Sequence, residues 1–377
     1  MSTWFSMISR LLRPLQGFVK GPYEGAPMSH DASMHSSCRP NPCGYITDTN
    51  PEKQIWKGNV AEPGNTPMIE VEGVFAKLEC VNPCNSIKDR IARYIIEESE
   101  RRGILQPGMR IVEATSGNTG IAMSYYAARK GYRCTIVMPQ NMSEERKQII
   151  RSMGADLVLC APGDFAGAAA IRDEMAAKPG HFNPDQFSNP LNIECHYRTT
   201  GQELLRQLAA EGRQIEAFVA GVGTGGTLIG VGKAIREVFP NAHIVAVEPT
   251  ESAVMSGGEA GVHGIQGIGD GFIPAIAGDG KGGLHPMINE VICVSTEEAR
   301  NAAYYVQETY GHCVGISSGA NFLAAKKLQS RFKTVATVFA DGYSKYQSHG
   351  LKHCGKGRCK YEDPARTVFA YHKEPSK

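Results

Sequence analysis

A chain of 377 residues, 42% hydrophobic and 21% charged, can bury a substantial core and is long enough for about two domains. Its formal net charge of +2 gives no broad field for nucleic acid or an anionic membrane surface, and no apolar run reaches the ~18 residues that cross a bilayer. The eleven cysteines are odd in number and scattered, which suits free thiols in a reducing compartment, so the cytoplasm is the expected location.

Residues 1–55 are rich in Pro, Gly, Ser and Asn without sustained periodicity and predict a flexible extension. Its opening stretch carries Arg10, Arg13 and Lys20 with no acid before Glu24, a composition that resembles a mitochondrial presequence; a loosely docked arm is the simpler reading. From there, β-branched runs alternate with helical patterns, predicting an α/β fold of two doubly wound domains, 56–195 and 196–350, with a polar tail at 351–377. In the first domain the pattern predicts strand Arg110–Ala114, helix Gly117–Lys130, strand Arg133–Met138, helix Ser143–Met153 and strand Asp156–Cys160. Next come helix Cys195–Ala210, strand Ala217–Gly221, helix Thr227–Val238 and strand His243–Val247. A glycine-rich stretch between Pro249 and Pro286 reads as a long functional loop. Strand Val291–Val294, helix Thr296–Tyr310, a helix after Ser318 and strand Thr334–Phe339 complete the second unit.

Four segments carry chemistry. In Asn82-Pro83-Cys84-Asn85-Ser86-Ile87-Lys88-Asp89-Arg90, Ser86 and Asp89 have capping-box spacing, which places Lys88 in a first helical turn. The positive end of the helix dipole disfavours a cation there, so a neutral amine able to condense with a carbonyl is within reach; the bland alternative is an exposed lysine. Thr115-Ser116-Gly117-Asn118-Thr119-Gly120 lies between strand and helix, where hydroxyls and free N–H groups suit a carboxylate beyond what a simple cap needs. Gly221-Val222-Gly223-Thr224-Gly225-Gly226-Thr227 is a phosphate cradle of the same kind. It also matches the dinucleotide pattern, with Glu248 as the ribose acid, but Pro249 follows that acid directly and the loop lies in the second unit. Gly315-Ile316-Ser317-Ser318-Gly319-Ala320-Asn321 puts two hydroxyls before a helix and, alone, reads as a serine cap.

Taken in order with Gly64-Asn65-Thr66-Pro67, Met142-Ser143-Glu144-Glu145-Arg146, Gln186-Phe187-Ser188-Asn189-Pro190, His196-Tyr197, Thr199-Thr200-Gly201 and Ile265-Gln266-Gly267-Ile268-Gly269, these segments resemble the fold type II pyridoxal-phosphate enzymes, the tryptophan synthase β-like class. The resemblance spans about residues 58–345 and is closest to O-acetylserine sulfhydrylases (cysteine synthases), with cystathionine β-synthases nearby. It implies pyridoxal 5'-phosphate as cofactor and Lys88 as its covalent anchor and the base for the Cα proton. Asn118 would meet the cofactor's 3′ oxygen, Ser317 its pyridine nitrogen, and Gly223, Thr224, Gly225, Gly226 and Thr227 its phosphate. Thr115, Ser116, Gly117, Thr119, Gln186 and Gly267 would hold the substrate. The implied reaction is a β-replacement forming L-cysteine or a related thio-amino acid from O-acetylserine and sulfide through an α-aminoacrylate, in a homodimer. The alternatives are condensation of serine with homocysteine, as in cystathionine β-synthases, and a catalytically weak regulatory or binding homologue, against which the retained Lys88, Asn118, Gln186 and Ser317 argue.

Two features bear on substrates. Asp270 stands where acetylserine enzymes usually carry a small neutral residue, and a carboxylate there would oppose hydrosulfide and favour an amine-bearing thiol. Residues 252–274 contain no arginine to meet a leaving phosphate, which favours O-acetylserine over O-phosphoserine. Cys38/Cys43 and Cys354/Cys359 share an x4 spacing that could build a zinc site, but structural zinc more often uses x2 pairs, so free thiols and no metal are expected.

Overall fold

The computed structural model describes residues 62–115, 117–346 and 351. The N-terminal extension, Ser116, the four terminal cysteines and the tail beyond Leu351 lie outside the described residues. Among those described, no helix is long and apolar enough to cross a membrane.

Strands β1 (Met68–Val71) and β2 (Val74–Leu78) open a six-stranded sheet that continues through β10 (Val335–Phe339), β7 (Ala217–Gly221), β8 (His243–Pro249) and β9 (Glu290–Val294). The β1–β2 pair is antiparallel and every later pair is parallel. Alternation of side chains along a strand explains why these segments are apolar throughout. Ala217 and Val219 of β7, Val245 and Val247 of β8, and Val335 and Phe339 of β10 enter one core, shared with Ala299, Ala303 and Phe322 of helices Thr296–Tyr310 and Ile316–Leu328. Phe218, Ala220, Ile244, Ala246, Ala336 and Val338 point the other way into a second core, against Leu204, Leu208 and Val231 of helices Gln202–Ala210 and Gly226–Val238. A four-stranded parallel sheet, ordered β5 (Asp156–Cys160), β4 (Arg133–Pro139), β3 (Arg110–Ala114), β6 (His181–Phe182), carries the other half of the fold.

Several elements differ from the sequence reading, the short strand β6 among them. The β1–β2 hairpin was not expected: its turn uses Glu72 and Gly73, both at positive φ, and the sequence there lacks the Asn-Gly or Asp-Gly signature. Pairing of β2 with β10 buries all five residues of β2, so the proposed first domain, 56–195, lends its opening hairpin to the other sheet. The helix expected at Cys195 starts at Pro190, where the Asn189 side chain accepts the Leu191 N–H at 3.0 Å; it passes through a π-helical turn at Tyr197–Gly201 before continuing as Gln202–Ala210. Helix Phe165–Ala176 is Ala-rich with little apolar contrast, which hid it from periodicity.

A buried ionic cluster joins β2 to the helices. The Arg90 guanidinium donates to both carboxylate oxygens of Glu79 (2.7 and 2.9 Å) and both of Glu203 (2.8 and 2.8 Å). Lys77 Nζ donates to Glu203 at 2.7 Å and to the Thr66 carbonyl at 2.6 Å, so two cations and two anions neutralise one another out of water. Burial alone would raise the Glu203 carboxyl, but the hydrogen bonds and charges of Arg90 and Lys77 outweigh it and hold the group at about 2.

Removing one member strands the others, so Arg90→Met is expected to lower unfolding stability by ~3–5 kcal/mol, read from the denaturant midpoint. Because the Glu203 carboxyl is depressed from its usual 4.5 to about 2, its stabilisation is complete above that usual value and is lost as pH falls toward 2. Glu203→Gln should flatten acid unfolding in that window; an unchanged acid limb would contradict the assignment.

Candidate active site

The C-terminal ends of parallel strands face the ligand crevice in open α/β sheets, and loops from three such strands, β3, β7 and β10, converge with the start of helix Lys88–Arg101. That helix start is held by a network. Asn85 adopts positive φ, and its side chain donates to the Cys80 carbonyl (2.8 Å) and accepts the Gly342 N–H (3.1 Å). Ile87 N–H donates to the Ala340 carbonyl at 2.8 Å. The capping box is only half realised. Asp89 reaches back to the N–H groups of Cys84 (2.8 Å) and Ser86 (3.4 Å), but the Ser86 hydroxyl accepts from Lys88 N–H (3.3 Å) and the N-cap position falls to Ile87. Lys88 is thus the first residue of the helix. Burial lowers its ammonium pKa against the opposing carboxylates of Asp270, Asp341 and Glu113, and its Nζ makes no hydrogen bond among the described residues.

After β3, Thr115 Oγ1 accepts the Gly117 N–H at 3.3 Å, and helix Asn118–Arg129 begins at Asn118. Asn118 is clamped: Nδ2 donates to Asp341 Oδ2 (2.6 Å) and Oδ1 accepts from Lys345 Nζ (2.7 Å). Thr119 donates to Gln186 Oε1 at 2.6 Å, which joins the loop to Gln186 and leaves the Gln186 Nε2 free to donate. After β7, helix Gly226–Val238 starts from Gly225 at φ +86°. A Cβ on Gly223 would collide with the Gly267 carbonyl and one on Gly226 with Asn192, so the loop is built from glycine by necessity.

The N–H groups of Gly223, Thr224, Gly225 and Thr227 have no acceptor among the described residues, the arrangement that suits a phosphate monoester at a helix N-terminus. Thr224 Oγ1 accepts from Asn192 Nδ2 (2.9 Å), and Thr227 Oγ1 lies 3.2 Å from His196 Nε2. Burial, and then the charges of Lys88 and Arg90, push His196 well below the usual imidazole range, so it is neutral. Ser317, second residue of helix Ile316–Leu328, is buried and its hydroxyl has no partner among the described residues. An anion cradle, an amine of lowered basicity and a solitary hydroxyl fit a phosphorylated carbonyl cofactor. The dinucleotide alternative fails on Glu248, whose carboxylate is consumed by the N–H groups of Met255 (2.8 Å) and Ser256 (2.9 Å).

Hydrogen bonds through Asn192 join the candidate residues Thr119, Gln186 and Thr224; Asn118 is held by Asp341, whose charge bears on Lys88; Thr227 meets His196; and Gly267 places its carbonyl beside Gly223. Sequence reasoning missed the residues that hold them: Asp341, Lys345, Asn192, Asn85 and Glu113. Glu113, next to last in β3, is fully buried; burial pushes its carboxyl up to about 7, against Arg172 and the N–H groups of Ala114 and Gln186 that it accepts. A charged residue near the end of an apolar strand, as in Arg110-Ile111-Val112-Glu113-Ala114, was the one local signal available.

Comparison with known proteins agrees with this geometry. Residues 61–341 match the family described as "Pyridoxal-phosphate dependent enzyme". A cysteine synthase of Staphylococcus aureus is 45% identical over 302 residues, covering 76% of this chain and 94% of that protein. Among solved structures, a hydrogen sulfide-producing enzyme of Fusobacterium nucleatum superposes with a TM-score of 0.71 at 40% identity, covering 76% of this chain and 89% of its own. The cysteine synthase of Entamoeba histolytica gives 0.71 at 35%, covering 81% and 93%. With this likeness along most of its length, the chain belongs to the fold type II pyridoxal-phosphate-dependent enzymes, close to the cysteine synthases.

Proposed function

We propose that this enzyme replaces the β-substituent of O-acetylserine with sulfide or a thiol, giving L-cysteine or a related thio-amino acid. The observation that carries the reading is the Lys88 amine, lowered in basicity and free of hydrogen bonds among the described residues, at a helix start ringed by the three loops. When bound, pyridoxal 5'-phosphate supplies an electrophilic carbonyl and an electron sink. Lys88 Nζ is the nucleophile that anchors it and, once displaced, the base that takes the Cα proton of the amino acid. The N–H groups of Gly223, Thr224, Gly225 and Thr227 hold the phosphate, with Gly226 allowing the close approach of Asn192. Asn118, fixed by Asp341 and Lys345, would present its amide to the ring oxygen. Ser317 would meet the ring nitrogen with a neutral hydroxyl, which would temper electron withdrawal and favour loss of a β-leaving group over transamination. Thr115, Thr119 and the Gln186 amide, with Ser116 and Gly117 of the same loop, orient the substrate carboxylate so that its Cα–H meets Lys88.

The Asp270 carboxylate interacts with Lys88 across the pocket and is raised by burial against the pull of Lys88 and His263. Two residues on, the Phe272 ring packs 5.4 Å from Phe187, which adjoins Gln186, so Asp270 belongs to a segment that meets the substrate side. This placement supports a second reading of the nucleophile, an amine-bearing thiol such as homocysteine in place of hydrosulfide.

Lys88→Ala is expected to lower turnover by ~10²–10⁴-fold or more and to abolish the near-visible absorbance of the cofactor-loaded enzyme. Normal product formation by this variant would contradict the assignment. Asp270→Ala should raise kcat/KM for sulfide about tenfold relative to homocysteine, since removing one facing charge is worth ~1 kcal/mol or more in a partly desolvated pocket. An unchanged ratio in product assays would remove Asp270 from nucleophile selection.

A further inference from the structure

Beside the loop Thr115–Gly120 stands an arginine that the proposed function does not use. Arg146 lies in the first turn of helix Glu144–Ser152 and is 3% exposed. It forms no ion pair among the described residues, its Nε is buried without a hydrogen bond, and its guanidinium lies over the Tyr346 ring, 5.5 Å from the centroid. A buried arginine is ordinarily matched by a carboxylate, because stacking on an aromatic face offsets only ~0.5–2 kcal/mol of a much larger desolvation cost. Three residues earlier, on the same face of the helix, the N-cap Ser143 hydroxyl is likewise buried without a partner.

The arginine faces the substrate loop. A Cβ placed on Gly117 would contact Arg146 Nε at 3.4 Å and its guanidinium carbon at 3.7 Å, so the cation is packed directly against the backbone of the loop. The Tyr346 hydroxyl that closes the other side donates to Asp341 at 2.5 Å, and the same carboxylate oxygen receives Asn118. An orphaned cation, an orphaned hydroxyl and a helix N-terminus therefore meet at one corner, and each favours negative charge.

We infer that Ser143 and Arg146 form the charged half of the amino-acid carboxylate site, supplying the compensation that the neutral loop Thr115–Thr119 lacks. The inference rests on the reading of that loop as the carboxylate receptor. Arg146 acts by charge and orientation, as a positioning residue, while the loop hydroxyls and Gln186 make the direct contacts. Specificity follows: the site accepts free α-carboxylates and discriminates against esters and amides.

The test is calorimetric titration of the cofactor-loaded enzyme with L-alanine, which has a carboxylate but no β-leaving group, and with L-alanine methyl ester, which lacks the charge. Arg146→Met is expected to weaken L-alanine about tenfold or more and to leave the ester within about twofold. Arg146→Lys, which keeps the cation, should recover most of the loss, and Ser143→Ala should give a smaller loss of about threefold. Equal loss for both ligands, or unchanged L-alanine binding in Arg146→Met, would overturn the inference. Should Arg146→Met fail to fold, Arg146→Lys and Ser143→Ala decide it: L-alanine bound as in wild type by the Lys variant and weakened by the Ala variant sustains it, and any other result overturns it. Failure of the wild-type enzyme to bind L-alanine at all would instead overturn the underlying reading of the loop.

Discussion

Arg90 and Lys88 stand two residues apart on one helix, hence roughly 200° apart around its axis, and this places them on opposite sides. Arg90 faces inward, where Glu79, Glu203 and Lys77 complete a neutral cluster whose geometry tolerates little displacement, because every charge in it is buried and matched. Lys88 consequently emerges on the side of the loops. These ionic contacts, together with the hydrogen bonds of Asn85, Ile87 and Asp89, fix the register of the helix and with it the position of the amine.

The proposed anion sites are built largely from neutral groups. Backbone N–H donors and threonine hydroxyls make up the loop after β7, and His196, neutral through burial, adds no charge behind it. Three carboxylates, Asp270, Asp341 and Glu113, bear on Lys88, countering the desolvation that lowers it. Asp341 does a second job by fixing Asn118, and Gly315 is required because a Cβ there would collide with its carboxylate. A single acidic side chain thus ties the end of β10 to the helix after β3.

The strands of the interior were legible because both faces of each are buried, which leaves apolar runs bounded by glycine and proline; β3 and β7 match their predicted limits. The loops were legible because their chemistry is local, with glycine, hydroxyl and amide side chains within a few residues of one another. What escaped was non-local. Asn118 and Asp341 are separated by 223 positions, and Arg90 and Glu203 by 113, distances at which no spacing rule operates. The β1–β2 hairpin escaped for a related reason, since only pairing with β10, more than 250 residues later, makes β2 an interior strand. Arg146 was visible as part of a motif, but its lack of a carboxylate partner among the described residues is a property of three-dimensional packing.

The account stands on a covalent link between one amine and the carbonyl of the cofactor. Borohydride reduction of the cofactor-loaded enzyme, proteolysis and mass spectrometry of the pyridoxyl-bearing peptide test it most directly. The label is expected on the peptide containing Lys88 alone; a label on another lysine, or a stoichiometrically loaded enzyme that yields none, would contradict it.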